Sequence, residues 1–422
     1  MHVAPARGIG GLGATLRTPT GVAVAAAGVV ALAGAAALGA HLLGRAPGSP
    51  ASTDPRDGAV SIGDAPPAGA APGVTTPPRT VPGPHLLALD KHATRPATSA
   101  TDPASFDALL RADGPGWAAA DGTISVSLPD GRVLWLFADT ILDLPNADGT
   151  LRRNADFVRN SAVLHDGATA TTLVSGTTRD ASDFLKPAQP GQWYWPGHGM
   201  VEGNELVLFM SRMEQTTAGA PGWNMRQVGV DMVRLRLDDL SLVERVPVPD
   251  SERLEWGTAV VSDDTHTYVY GFENTDDDVY QRWAHVARVP KGELHGGGLE
   301  YWDGHGWNSD SAKSARIAKD LSNSFSVIRT PGGKWAMVSQ ELFFGTKLQA
   351  KLADSPQGPW SDWKTIDAGP AKPPGTISYN AQVHPAFTDD GTLLASWNFN
   401  REDTKLPSPS QLETYRPRFR AI

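Results

Sequence analysis

Four carboxylates, Asp121, Asp139, Glu255 and Glu341, stand at matching places in a phrase that this chain repeats. Carboxylates that share one pocket repel one another, and partial burial lifts some of their pKa values, leaving a protonated acid beside an ionised base. That pairing is the equipment of glycoside hydrolysis, in which one group protonates the leaving oxygen and the other activates water or attacks the sugar. The phrase consists of an acidic or amide residue, a β-rich run, a tight turn, an apolar strand and a second polar residue. Its copies are DGTISVSLPDGRVLWLFADT, from Asp121 to beyond Asp139, and EWGTAVVSDDTHTYVYGFEN, from Glu255 to Glu273 and Asn274. NSFSVIRTPGGKWAMVSQE follows, from Asn323 to Glu341, then YNAQVHPAFTDDGTLLASWNFN, opening on Tyr379 and Asn380 and closing on Asn398 and Asn400. A hairpin returns the chain to the edge it left, so the two polar ends of each copy are neighbours.

Other residues offer binding chemistry. Trp117, Trp195 and Trp256 flank the starts of these strands, where apolar ring faces can stack on the C–H faces of sugars. Asn160 opens a third strand on the same side, and His198 and His384 could donate to a ligand or hold a metal. Each position also has a purely structural role open to it. Asp and Asn at strand ends cap backbone N–H groups, and Trp and His pack in β cores. Asp276, Asp277 and Asp278 in NTDDDVY suggest a structural calcium, yet they lack the EF-hand spacing and read as a solvated loop. No metal or cofactor is otherwise expected. Serine-hydrolase, P-loop and dinucleotide signatures are absent.

The elements that position these groups are strands. RVLWLF, ELVLFM, THTYVYGF, KWAMVS and TLLASW have strand length and pattern, separated by PDG, EGN, DD, PGG and DDG turns. NSAVLHDG, VGVDMVRLRL, AHVARVP and KLQAKLADSP supply third strands. With WYWPGHGMVEGNELVLFMSRME, hairpin units begin near Asp121, Trp195, Glu255, Asn323 and Tyr379, which predicts an all-β, five-bladed β-propeller over residues 85–422. A β-sandwich is the alternative. TDPASFDALLRADG carries the caps of one short helix.

All thirteen Trp fall between Trp117 and Trp397, which favours one large domain. The net charge of -9 and the lack of a basic stripe argue against a nucleic-acid partner. With no Cys, disulfides, thiol catalysis and a lipid-modified Cys are excluded. Residues 21–44 are uncharged and long enough to cross a bilayer, as a transmembrane helix or a cleaved signal peptide. Arg7 and Arg17 ahead of the stretch keep residues 1–20 cytoplasmic and place the bulk outside, tethered to the membrane if uncleaved. Residues 45–84 are rich in Pro, Ala and Gly and read as a disordered spacer, with a reach on the order of 100 Å.

The segments GWAAADGTISVSLPDGRVLWLFADT, RNSAVLHDG, ADSPQGPWSDW and YNAQVHPAFTDDGTLLASWNFN resemble a bacterial family of secreted domains. These belong with the five-bladed β-propeller glycoside hydrolases of the arabinanase and furanosidase group, and some relatives act on mycobacterial-type D-arabinan. The resemblance implies acid-catalysed cleavage of a furanoside, with Asp121 as base or nucleophile and Glu255 as proton donor. Asp139 or Glu341 would be the third carboxylate. Two functions therefore compete: an extracellular hydrolase of a cell-envelope polysaccharide or oligosaccharide, and a non-catalytic carbohydrate- or protein-binding surface domain.

Overall fold

The computed structural model describes residues 79–81, 103–111, 116–145, 148, 151–166, 170–177, 180–217, 224–273, 282–389, 392–402 and 409–422. The segment expected to span a membrane, most of the expected spacer and the Asp276–Asp278 run lie outside them. Among the described residues no helix is long and apolar enough to cross a membrane. Arg79–Val81, within the segment expected to be a spacer, pair with the outer strand Ala170–Thr177 of the first sheet.

The described chain is almost wholly β. Five antiparallel sheets follow one another, and each begins with a hairpin. Their first strands are Ile124–Ser127, Gln192–Glu202, Leu254–Ser262, Phe325–Arg329 and Thr376–Asp389. Each of these first strands packs on the next, and the fifth packs back on the first, so they close a ring. The third strands expected from sequence are present: Ser161–His165, Met225–Arg236, Arg282–Pro290 and Leu348–Ala353. The last sheet takes its third strand, Arg418–Ala421, from the C-terminus. The expected helix forms over Pro103–Arg111 and packs on that strand.

Apolar layers between successive sheets hold the ring together. Ile124 and Leu136 meet Tyr194 and Leu208; Phe209 meets Trp256 and Val269; Tyr270 and Val286 meet Phe325 and Trp335. Ile328 and Val338 meet Val383 and Trp397, and Leu394 and Phe419 close the circle against Trp135 and Val163. A second strand wedged between two neighbouring sheets is buried on both faces, so it reads as a continuous apolar run and not as an alternation. Trp335–Gln340 and Val133–Phe137 are buried at every position for this reason. Each fully buried Trp in these layers would cost about 3 to 5 kcal/mol to truncate.

A sixth sheet was not legible from the repeats. Gly116–Ala120, Thr140–Pro145 and Leu151–Val158 form a small three-stranded sheet. The chain passes between it and the first ring sheet three times in succession: Ala120 to Ile124, Phe137 to Thr140, and Val158 to Ser161. Asp121, Asp139 and Arg159 each occupy one of these crossings.

Candidate active site

Crossing from one sheet to another leaves backbone groups outside both ladders, and local bonds must satisfy them. The Ala138 N–H donates to the Asp121 carbonyl at 2.9 Å, which ties the first two crossings together. Gly122 makes this approach fit: its φ is +69° and an added Cβ would stand 3.0 Å from that of Ala138. The carboxyl groups of Asp121 and Asp139 are thereby buried side by side, 2% and 1% exposed. Burial, and then the charge of Asp139, push the Asp121 pKa up to about 7. Two phenols oppose that rise. The Tyr379 hydroxyl donates to Asp121 Oδ2 at 2.8 Å, and the nearby Tyr415 phenol also favours the charged form. Burial also raises the Asp139 pKa, although Arg159 and the Trp195 indole pull it down. Arg159 Nη1 lies 3.4 Å from Asp139 Oδ1, and Trp195 Nε1 donates to the same oxygen at 3.0 Å. The guanidinium of Arg159 is held over the Trp193 ring, 4.2 Å from its centroid.

Glu255 arrives from the third sheet. Its strand bulges between Trp256 and Ala259, where Gly257 takes a φ of +87°. A Cβ there would overlap that of Phe209, so only glycine lets the strand lie this close. The first strands of the second and fifth sheets bulge at the same level, between Pro196 and Gly199 and between Tyr379 and Gln382. Bulges re-aim side chains, and here they turn three strands at one end of the ring. Ser211 Oγ donates to Glu255 Oε1 at 2.7 Å. Burial raises the Glu255 pKa, while Ser211 and the charge of Arg282 restrain it.

A cleft of about 80 Å³ sits among these groups, lined by Glu255, Trp195, Ser211, Asn323, Asn380 and Gly122 among others. The structure thus brings Glu255, Trp195, Trp256, Asn323 and Asn380 to one cavity. Asp121 and Asp139 adjoin its wall residues Gly122 and Ala138, and Tyr379 reaches it through Asp121. Asn323 Nδ2 lies 3.5 Å from Asn380 Oδ1 across the cleft.

Other residues singled out in the sequence sit elsewhere. Glu341 is in an ion pair with Lys347 at 3.0 Å, outside the cleft lining. Trp117 packs on Phe137 in the core, and Asn160 spends its amide on Leu185 and the Tyr194 carbonyl. Asn398 bonds Thr123 behind the first strand. His384 is fully buried between Ser125 Oγ at 2.9 Å and Ser396 Oγ at 2.8 Å, and burial pushes its pKa down to about 3. His198 lies further along the axis, in a different cavity. Glu273 is committed to Arg316 at 2.6 Å and His285 at 3.1 Å; burial would raise its pKa, but these partners hold it below the usual range. Among the described residues no group of His, Cys, Asp and Glu is arranged to hold a metal.

Ser211, Arg159, Arg282 and Tyr415 were missed. Ser211 follows the apolar run ELVLFM in sequence, one place nearer to it than Asp139 is to VLWLF, and its strand runs on to Gln215. Tyr415 had no such signal. It comes from a 3-10 turn, Pro409–Tyr415, outside every repeat, and donates to the Asp139 carbonyl at 3.2 Å.

Comparison with known proteins bears on this arrangement. The family described as "Domain of unknown function (DUF5005)" matches residues 103–422. A putative hydrolase from Bacteroides ovatus shares the fold, with 22% identity and a TM-score of 0.60 over 75% of this chain and 88% of that one. An endo-arabinase from Bacteroides thetaiotaomicron aligns at 11% identity and a TM-score of 0.41, over 72% of this chain and 94% of that one. The α-L-arabinofuranosidase of Podospora anserina, solved with cellotriose, aligns at 11% identity and a TM-score of 0.39, over 73% and 92%. No curated protein matches the chain.

Proposed function

The chain belongs to the DUF5005 family, and we propose that it is a glycoside hydrolase built on a five-bladed β-propeller, acting on a cell-envelope polysaccharide outside the cell. One observation carries this reading: buried Glu255 lines a cleft whose wall residues Gly122 and Ala138 adjoin the buried Asp121 and Asp139, and all three carboxylates have raised pKa values. The five sheets in cyclic contact support the blade count. The uncharged residues 21–44 support export.

Local partners divide the roles. Asp121 accepts from the Tyr379 phenol and lies beside that of Tyr415, contacts that favour its ionised form, so it serves as base or nucleophile. Glu255 accepts from one hydroxyl and its burial favours the protonated form, so it protonates the leaving oxygen. Asp139, fixed by Arg159 and Trp195, holds negative charge beside Asp121 and tunes it. Trp195, Asn323 and Asn380 bound the cleft and contact the sugar. Arabinan is the first polymer to test, because arabinofuranosyl linkages are the class the sequence resembles.

Incubating the protein with arabinan, arabinogalactan and other wall glycans should release oligosaccharides or free sugar. Asp121→Asn and Glu255→Gln should each abolish release while remaining folded. Binding of a glycan without product would instead support a non-catalytic surface module, and full activity in both variants would overturn the site assignment.

A further inference from the structure

Beyond the acid cleft, the same first strands enclose a second cavity of about 750 Å³. Its walls include valines from all five sheets: Val126, Val201, Val260 with Val261, Val327 and Val383. Four of the five lining hydroxyls are already engaged by the protein; the fifth, Ser127, is exposed. Ser125 Oγ lies 2.9 Å from His384 Nδ1, Ser262 Oγ lies 2.9 Å from Thr267 Oγ1, and Ser326 Oγ donates to Gln382 Oε1 at 2.7 Å. Thr330 Oγ1 donates to the Lys334 carbonyl at 3.2 Å. A sugar placed here would leave most of its hydroxyls unpaired, which is costly. The cavity is therefore not an extension of a carbohydrate site.

Two polar groups stand apart. Among the described residues His198 Nδ1 is buried without a hydrogen-bond partner. Arg329 is the one Asp, Glu, Lys or Arg residue that lines the cavity. Its guanidinium rests 4.7 Å from the Trp335 ring centroid, and it makes no ion pair among the described residues. An apolar chamber of drug-like size with a single cation at its edge has the complementarity of an amphiphilic anion.

We propose that this cavity is a second binding site, taking a small organic anion with an aliphatic body whose tail lies on the valine ring and whose carboxylate meets Arg329. The site stands whether or not the acid cleft hydrolyses glycans. Octanoate is the probe, titrated calorimetrically into the full chain at neutral pH beside octylammonium and octyl glucoside. Saturable one-to-one binding of octanoate, with octylammonium failing to bind and octyl glucoside binding more weakly, is expected. Arg329→Gln, at an exposed position, should weaken octanoate roughly tenfold or more, as loss of a charged hydrogen bond does. Ser127→Trp, at an exposed lining residue, should block entry. Absence of saturable octanoate binding below its self-association, equal affinity for octylammonium, or indifference to both substitutions would overturn the proposal.

Discussion

Replacing Asp121 with Asn should stabilise the protein as it disables the site, and the gain should depend on pH in a defined way. Asp121 moves from the usual 3.8 to about 7 because folding buries it beside Asp139. An acid with a raised folded pKa contributes no penalty below its unfolded pKa, a growing one between the two values, and a constant one above the folded value. The interval from 3.8 to about 7 corresponds to roughly 4 kcal/mol at neutral pH and above. Asparagine removes that penalty, but it accepts less strongly from Tyr379, a loss of about 1 kcal/mol. The variant should therefore be slightly less stable than the parent near pH 4 and about 3 kcal/mol more stable near pH 8. Urea denaturation followed by Trp fluorescence at several pH values measures the difference. A difference that stays flat between those pH values would refute the argument, because it would mean that Asp121 does not titrate in the window its burial sets.

Further consequences concern its neighbours. Ser211→Ala removes a donor to Glu255, so the Glu255 pKa should rise and the alkaline limb of the pH–rate profile should move upward. Arg159→Leu strips the cation from buried Asp139 and the stack on Trp193; a loss of about 3 kcal/mol in denaturant titrations is expected. Gly257→Ala, forced to a φ of +87° against Phe209, should cost about 3 kcal/mol and disturb Glu255, read as loss of both stability and turnover. Glu341→Ala breaks only an exposed pair with Lys347, so it should change stability by less than about 1 kcal/mol and leave kcat/KM as it was.

The strands were legible because the sequence repeats a turn-delimited pattern, and the carboxylates because their positions recur with it. What escaped was geometry set by contacts between distant segments. Trp117 and Trp195 look alike as aromatics near inner strands and both are buried, yet one packs on Phe137 and the other bonds Asp139 and lines the cleft. Glu341 shares the strand-end position of Asp139, but it pairs with Lys347, six residues on, outside the cleft lining. The three-stranded sheet whose crossings hold Asp121, Asp139 and Arg159 was not marked by the repeats, and Tyr415 arrives from 276 residues beyond Asp139 in sequence. Such pairings leave no mark at short range.

The central claim is that Glu255 protonates a departing sugar oxygen, and leaving-group dependence tests it most directly. Wild-type protein and Glu255→Gln should be compared on an unactivated oligosaccharide and on the matching glycoside with a dinitrophenyl leaving group. The account predicts that the variant loses at least about a hundredfold on the oligosaccharide, yet keeps most of its cleavage of the aryl glycoside, whose leaving group needs no proton. Equal losses on both substrates, or no loss on either, would contradict it.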